Sequence, residues 1–334
     1  MAEFRQWRGR VTGRMLASVL IVLAVPYQAL AQTGAIPVFS HTGAPKRKTP
    51  TLAPGQEDGR SKYVPPADPK DLPDIPEVKF IDSNGTERVE KTERWTATID
   101  MIQDYGCTGT LIGPRVLLTA AHCVARFRQI GIDVNSEILP ADCQTHPRYR
   151  PGGFFRLFDY ALCHLNQAFP TTVTINTKKA RGVSVVVKFE RLSLDRRDAR
   201  YRIGDRRSRR LLMGGYGCFS KSNEKIDHKL RAGIAFISRF GTLRLTMGSP
   251  LRRDSGVLCA GDSGGAAYRY FTDDPYDRRV IVAVNSANIL PRNISFLAKT
   301  STPAFIRFFR SWRRRWRNPK VCGIDRNMGG ICHK

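Results

Sequence analysis

The sequence predicts an all-β protein, a barrel or a sandwich, with a single helix near its C-terminal end. Three observations lead there. From Trp95 onward the chain runs in short stretches of β-branched and aromatic residues punctuated by Gly and Pro. No helical periodicity separates these stretches, which argues against alternating βαβ units. Near the end, Phe305, Ile306, Phe309 and Trp312 fall close to i, i+1, i+4 and i+7, one apolar face of a helix.

Taken in order, the chain opens with Arg5, Arg8, Arg10 and Arg14, then the apolar run Met15 to Val25, then Ala29-Leu30-Ala31. The run is too short to cross a bilayer, which takes about 20 residues. A basic start, an apolar centre and a small-x-small triplet describe a secretory signal peptide over residues 1–31, with an uncleaved anchor as the alternative. Residues 32–78 carry nine prolines and little apolar content, so they read as an extended linker or pro-segment. The expected strands include Trp95–Ile102, Cys107–Ile112, Val116–Thr119, Val183–Phe189 and Val280–Val284, with Gly113-Pro114 as a hairpin turn. Ser301-Thr302 is the cap candidate of the helix and Pro303 belongs in its first turn.

Of the 334 residues, 41% are hydrophobic and 9% aromatic, which excludes a wholly disordered chain. Lys and Arg number 55 against 29 Asp and Glu, a formal charge of +26. Loss of residues 1–31 would remove four arginines and one glutamate and leave +23. All eight cysteines lie beyond residue 31, at Cys107, Cys123, Cys143, Cys163, Cys218, Cys259, Cys322 and Cys332. An even count in an exported chain favours disulfides over metal ligands. With no CxxC or HExxH pattern and scattered histidines, neither a metal nor a cofactor is expected.

Three local patterns carry chemistry: Leu118-Thr119-Ala120-Ala121-His122-Cys123, Phe158-Asp159-Tyr160-Ala161-Leu162, and Cys259-Ala260-Gly261-Asp262-Ser263-Gly264-Gly265. A serine hydroxyl is a poor nucleophile at its own pKa and needs an adjacent base. Histidine suits that task because it titrates near neutrality. A carboxylate behind the imidazole fixes its tautomer, and glycines around the serine allow a turn whose N–H groups can face an oxyanion. Asp133 and Asp142 compete with Asp159 for the carboxylate role, whereas His146 and His164 lack such context and read as surface or structural residues.

With these motifs in the order His, Asp, Ser, residues 85–316 resemble the chymotrypsin/trypsin-like serine endopeptidases, including their bacterial secreted branch. The resemblance implies two six-stranded antiparallel β-barrels and a C-terminal helix, in a domain set at 79–316. A basic, Cys-containing tail follows at 317–334. It implies Ser263 as nucleophile, His122 as general base and then acid, Asp159 as orienting carboxylate, and the N–H groups of Gly261 and Ser263 as oxyanion hole. Ser286 falls where the family hydrogen-bonds the aspartate. Val257 would floor the specificity pocket, with Ser286 and Asn288 on its wall. No carboxylate stands at the floor, and Asn285 precedes Ser286 where glutamate-specific relatives have histidine. Cleavage after small or medium uncharged residues is therefore expected.

The family bridge beside the catalytic histidine matches Cys107–Cys123. Cys143–Cys163, Cys218–Cys259 and Cys322–Cys332 are one choice among many connectivities. The chain departs from the family in lacking an Ile-Val-Gly-Gly start after a basic residue; Lys79-Phe80-Ile81 and Arg88-Val89 are the candidate junctions. Asp262 would then take an arginine as its cation in place of a freed α-amino group. Nine arginines lie in Arg191–Arg210, and Arg313-Arg314-Arg315-Trp316-Arg317 ends the helix. They read first as a solvated basic surface, with non-specific binding of anionic polymers as the alternative. The expected partners are protein or peptide substrates, with no specific nucleic acid. The leading expectation is a secreted or periplasmic serine endopeptidase. The rival is a non-catalytic anion-binding protein on the same fold.

Overall fold

The computed structural model describes residues 78–81, 87–90, 95–101, 106–134, 137–152, 157–175, 183–198, 209–218, 226, 230–247, 256–271, 278–289 and 292–333. The expected signal peptide and all of the proline-rich segment before Val78 lie outside them, as do residues 199–208 of the arginine-rich Arg191–Arg210 run.

Strands β1 (Val78–Ile81) and β2 (Glu87–Glu90) form an antiparallel hairpin. Both candidate cleavage junctions thus sit inside paired strands. A first sheet follows: β3 (Thr98–Met101), β4 (Cys107–Gly113), β5 (Val116–Thr119), β6 (Gln129–Val134), β7 (Glu137–Thr145) and β8 (Ala161–Leu165), with α1 (Ala121–Val124) a single turn after β5. Their spatial order is β3-β4-β5-β8-β7-β6, and every residue of β4 and β5 is buried. Gly113-Pro114 makes the expected hairpin between them. A two-stranded ribbon, β9 (Thr172–Ile175) and β10 (Val183–Val186), leads to the second sheet.

That second sheet holds β11 (Arg210–Gly215), β12 (Arg231–Phe240), β13 (Arg244–Met247), β14 (Ala266–Tyr270), β15 (Arg279–Ile289) and β16 (Ile294–Lys299). The run β11-β14-β15-β16-β13-β12 closes into a ring because β12 also pairs with β11. The β1–β2 hairpin is attached to it through parallel pairing of β1 with β12. The fold is therefore a chymotrypsin-like pair of six-stranded antiparallel units. The second is a closed barrel and the first a half-barrel, in which β3 and β6 do not pair among the described residues.

Helix α2 (Pro303–Arg315) covers the half-barrel. Thr302 caps it, its hydroxyl accepting the Phe305 N–H at 3.0 Å, and Pro303 fills the first helical position, where a missing N–H costs nothing. The buried face is Phe305, Phe308, Phe309 and Trp312. Ile306, which the sequence reading placed on this face, is partly exposed, because 305, 308, 309 and 312 subtend a narrower arc at 3.6 residues per turn.

Residues past the helix are built into the same core. Val321 and Cys322 are fully buried, the Cys322 N–H donates to the Ile112 carbonyl, and Leu192 N–H donates to the Cys322 carbonyl. Arg313 grips both oxygens of Asp325 at 2.9 Å. Between the sheets lies a fully buried ion pair, Glu190 with Arg279, whose guanidinium stacks 4.3 Å from the Trp95 ring and 4.8 Å from the Tyr268 ring.

Four disulfides are formed: Cys107–Cys123, Cys143–Cys163, Cys218–Cys259 and Cys322–Cys332. The first closes a loop of 16 residues that contains the β4–β5 hairpin. In the chain-entropy picture a loop of that size stabilises by about 3 kcal/mol. Replacing Cys107 and Cys123 together with serine should lower stability by that order in urea titration. Peptide mapping without reduction should recover Cys107 joined to Cys123 from the parent protein.

Candidate active site

His122 is presented by the α1 turn at the end of β5, with Cys123 beside it tied back to the start of β4. Asp159 stands in the connection between β7 and β8, after Phe158. The Phe158 backbone is left-handed, φ 61°, which costs a non-glycine residue about 1–2 kcal/mol. Its ring stacks on His146 at 4.9 Å and lies under the Arg148 guanidinium at 4.5 Å, contacts that offset the strain. His146 also meets Phe308 of α2, and its Nδ1 accepts the Arg148 N–H at 3.1 Å. Burial, with the Arg148 charge beside it, lowers the His146 pKa to about 4 and keeps the ring neutral at physiological pH. His146 is thus a structural residue that shapes the approach to Asp159.

The Asp159 carboxylate is completely buried and receives three hydrogen bonds. The backbone N–H of His122 donates to Oδ1 at 2.9 Å, the imidazole Nδ1 meets Oδ2 at 2.7 Å, and the Ser286 hydroxyl donates to Oδ2 at 2.6 Å. With the carboxylate as acceptor, Nδ1 carries the proton and Nε2 is left as a base. Asp133 and Asp142 lie instead on β6 and β7, where their backbones pair with Ile138 and Gln129. Ser286 reaches Asp159 because β15 bulges there: Asn285 pairs with Leu297 and Ala287 with Phe296, so Ser286 is the extra residue. A bulge re-aims the side chain it carries.

The loop from Cys259 to Gly265 packs against both sheets. Thr108 N–H donates to the Ser263 carbonyl at 2.8 Å, and the Thr108 hydroxyl donates to the Gly261 carbonyl at 2.8 Å. Gly264 N–H donates to Asn285 O, and Asn285 N–H to Gly265 O. The Asn285 amide reaches across to the Gly214 carbonyl at 3.1 Å. Gly261 and Gly264 have φ of 99° and 89°, open only to glycine at low cost. A Cβ on Gly264 would overlap the Thr108 carbonyl and the Thr119 hydroxyl. The Cys123 sulfur lies 3.6 Å from the Ser263 carbonyl, so the Ser263 backbone adjoins the His122 turn.

Residues 82–189 match the sequence model of the Trypsin family. That stretch is similar to the trypsin-like serine proteases. The matched stretch includes His122 and Asp159 and ends before the Ser263 loop. Among curated protein sequences, none matches the chain.

The residues expected at the specificity pocket lie on β15 and in the segment that precedes the Ser263 loop. Val257 is partly buried against the Cys218–Cys259 bridge, Ser286 is buried and Asn288, past the bulge, is partly exposed. The sequence reading did not single out Thr108 or the clamp made by the Asn285 amide. Only the fold brings them to the loop. Ligand atoms of Cys107, His122 and Cys123 lie within 4.8 Å of one another, but the two sulfurs are joined as a disulfide and offer no thiolate to a metal.

Asp262 turns inward. It accepts the Cys259 N–H at 2.8 Å and the Gly217 N–H at 2.9 Å, and a Cβ on Gly217 would overlap its carboxylate. Desolvation raises its pKa to about 6, opposed by those two N–H groups and by the Arg231 charge. Arg231 also donates to the Gly217 carbonyl at 2.9 Å. The folded carboxyl holds its proton to about pH 6, whereas the ordinary value is 3.8, so this group's contribution to stability is full below about pH 4 and lost as pH rises through 6. The melting temperature of the parent relative to Asp262→Asn should therefore decline across that window, measured by thermal denaturation at stepped pH.

Proposed function

We propose that the protein is an exported serine endopeptidase that hydrolyses peptide bonds through an acyl-enzyme on Ser263. The observation that carries this reading is the buried Asp159, which takes the His122 ring, the His122 N–H and the Ser286 hydroxyl together. His122 Nε2 accepts the Ser263 proton as Oγ attacks the scissile carbonyl carbon. The tetrahedral oxyanion is met by the N–H groups of Gly261 and Ser263, neither of which donates elsewhere among the described residues. His122 then protonates the departing amine. Water, deprotonated by the same imidazole, attacks the acyl carbon, and the carboxylate product leaves as Ser263 recovers its proton. An intact set of these groups favours the enzyme over a non-catalytic anion-binding protein.

The Ser263 loop is held in this reading without a newly cut N-terminus. Asp262 draws on the Arg231 charge and two backbone N–H groups, and both candidate junctions are inside paired strands. Export agrees with four disulfides and with the absence, among the described residues, of a helix long and apolar enough to cross a membrane.

Ser263→Ala should lower kcat by on the order of 10⁶ and abolish covalent labelling by a fluorophosphonate, with the melting temperature little changed. Near-parental proteolysis by purified Ser263→Ala protein would end the assignment. With Val257 on the pocket floor and Asn288 narrowing its wall, cleavage should follow Ala, Val, Leu or Thr. Discrimination among these should be modest, since a methylene in an apolar pocket is worth about 1–3 kcal/mol. Profiling on a mixed peptide library checks this: dominance of Arg, Lys or Glu at the cleaved position would refute the pocket assignment.

A further inference from the structure

We propose that the outward face of α2 is a docking surface for a linear anionic polysaccharide, separate from the candidate active site. The helix divides sharply. Phe305, Phe308, Phe309 and Trp312 face the half-barrel, while Arg307, Arg310 and Arg314 are exposed on the opposite side. At 100° per residue these three arginines fall within an arc of about 60°, and at 1.5 Å per residue they form a row about 10 Å long.

Among the described residues no carboxylate uses their charge. No Asp or Glu occurs between residues 303 and 320. The one described carboxylate paired with this helix, Asp325, is taken by Arg313, and Arg307, Arg310 and Arg314 have no ion-pair partner among the described residues. Cations in the last turn are favoured by the helix dipole, which accounts for Arg313, Arg314 and Arg315. It gives no reason for Arg307 or Arg310. The basic track continues at both ends. Arg148 and Arg307 both act on His146. Arg115 acts on His164, whose ring stacks on Trp316 at 4.4 Å, and Asp142 acts on the same ring in the opposite sense.

The chemistry of the face selects among polyanions. Guanidinium forks match sulfate and carboxylate oxygens in pairs. Binding of single-stranded nucleic acid draws on exposed aromatic platforms, but the aromatic side chains of α2 point into the core. Attachment to a bilayer draws on apolar side chains that enter it, and the outward row has none. A ridge one arginine wide suits a single charged chain.

The test uses the full protein and a fluorescently labelled heparin oligosaccharide as probe, with Kd read by anisotropy across a salt series. R307Q/R310Q/R314Q keeps helix-forming side chains and should weaken binding by about tenfold or more, reducing the salt slope by roughly one per lost contact. R196Q/R239Q/R292Q removes the same charge from exposed positions off the helix and should change Kd by less than about threefold. Equal losses in the two variants, or parental binding by the helix variant, would overturn the proposal. So would a stronger dependence on this row for an oligo-dT strand or for phosphatidylcholine–phosphatidylserine vesicles than for heparin. Unchanged fluorophosphonate labelling of the helix variant keeps this outcome apart from the proposed catalytic reading.

Discussion

The close approach of the Ser263 loop to the half-barrel at Gly264 constrains everything around it. There is no room for even a methyl group between this residue and the Thr108 carbonyl or the Thr119 hydroxyl. Once the loop is pressed there, Thr108 can donate to both Ser263 and Gly261, and Thr119, three residues before His122, donates back to Thr108. The candidate nucleophile and base are therefore spaced by backbone contact between the two sheets and not by their own side chains. Asn285 extends the constraint to the other side of the loop, fastening Gly264, Gly265 and Gly214 from one residue.

Burial of charge around this contact is handled in three ways. Asp159 is given donors on both oxygens. Glu190 is neutralised by Arg279, itself packed against the Trp95 and Tyr268 rings. Asp262 has two backbone donors and a nearby cation, yet desolvation still outweighs them. These differences follow from the geometry of each site: a lone carboxylate is expensive to bury, and each added partner recovers part of that cost.

Much of this was legible in the chain because it is local. The β4–β5 hairpin is announced by Gly113-Pro114, the start of α2 by Thr302-Pro303, and the chemical groups by runs around His122 and Ser263. What escaped is long-range. Whether Ile306 or Phe308 faces inward depends on where the half-barrel lies, not on hydrophobicity, which both share. Ser286 stands beside Asp159 as the family resemblance implied, but the bulge in β15 that brings it there is marked by nothing in Val284-Asn285-Ser286. Arg231 is one arginine among many until β11 and β12 pair and bring it to Gly217. The stretch after residue 316 read as an appendage because its apolar residues are few, yet Val321 and Cys322 fill space beside Ile112.

That last packing bears on how the molecule comes to be folded. The Cys322–Ile112 hydrogen bond joins positions about two hundred residues apart, and Gly113 leaves room only for the Lys320 carbonyl against it. A nascent half-barrel has an edge that its own neighbours in sequence cannot finish. Bringing that distant segment home means closing a very long loop, whose entropy must be lost before the contact returns any energy. High contact order of this kind slows folding. The rate-limiting event should then be the arrival of the segment around Cys322, with the closed barrel, whose strands are nearer to one another in sequence, already formed.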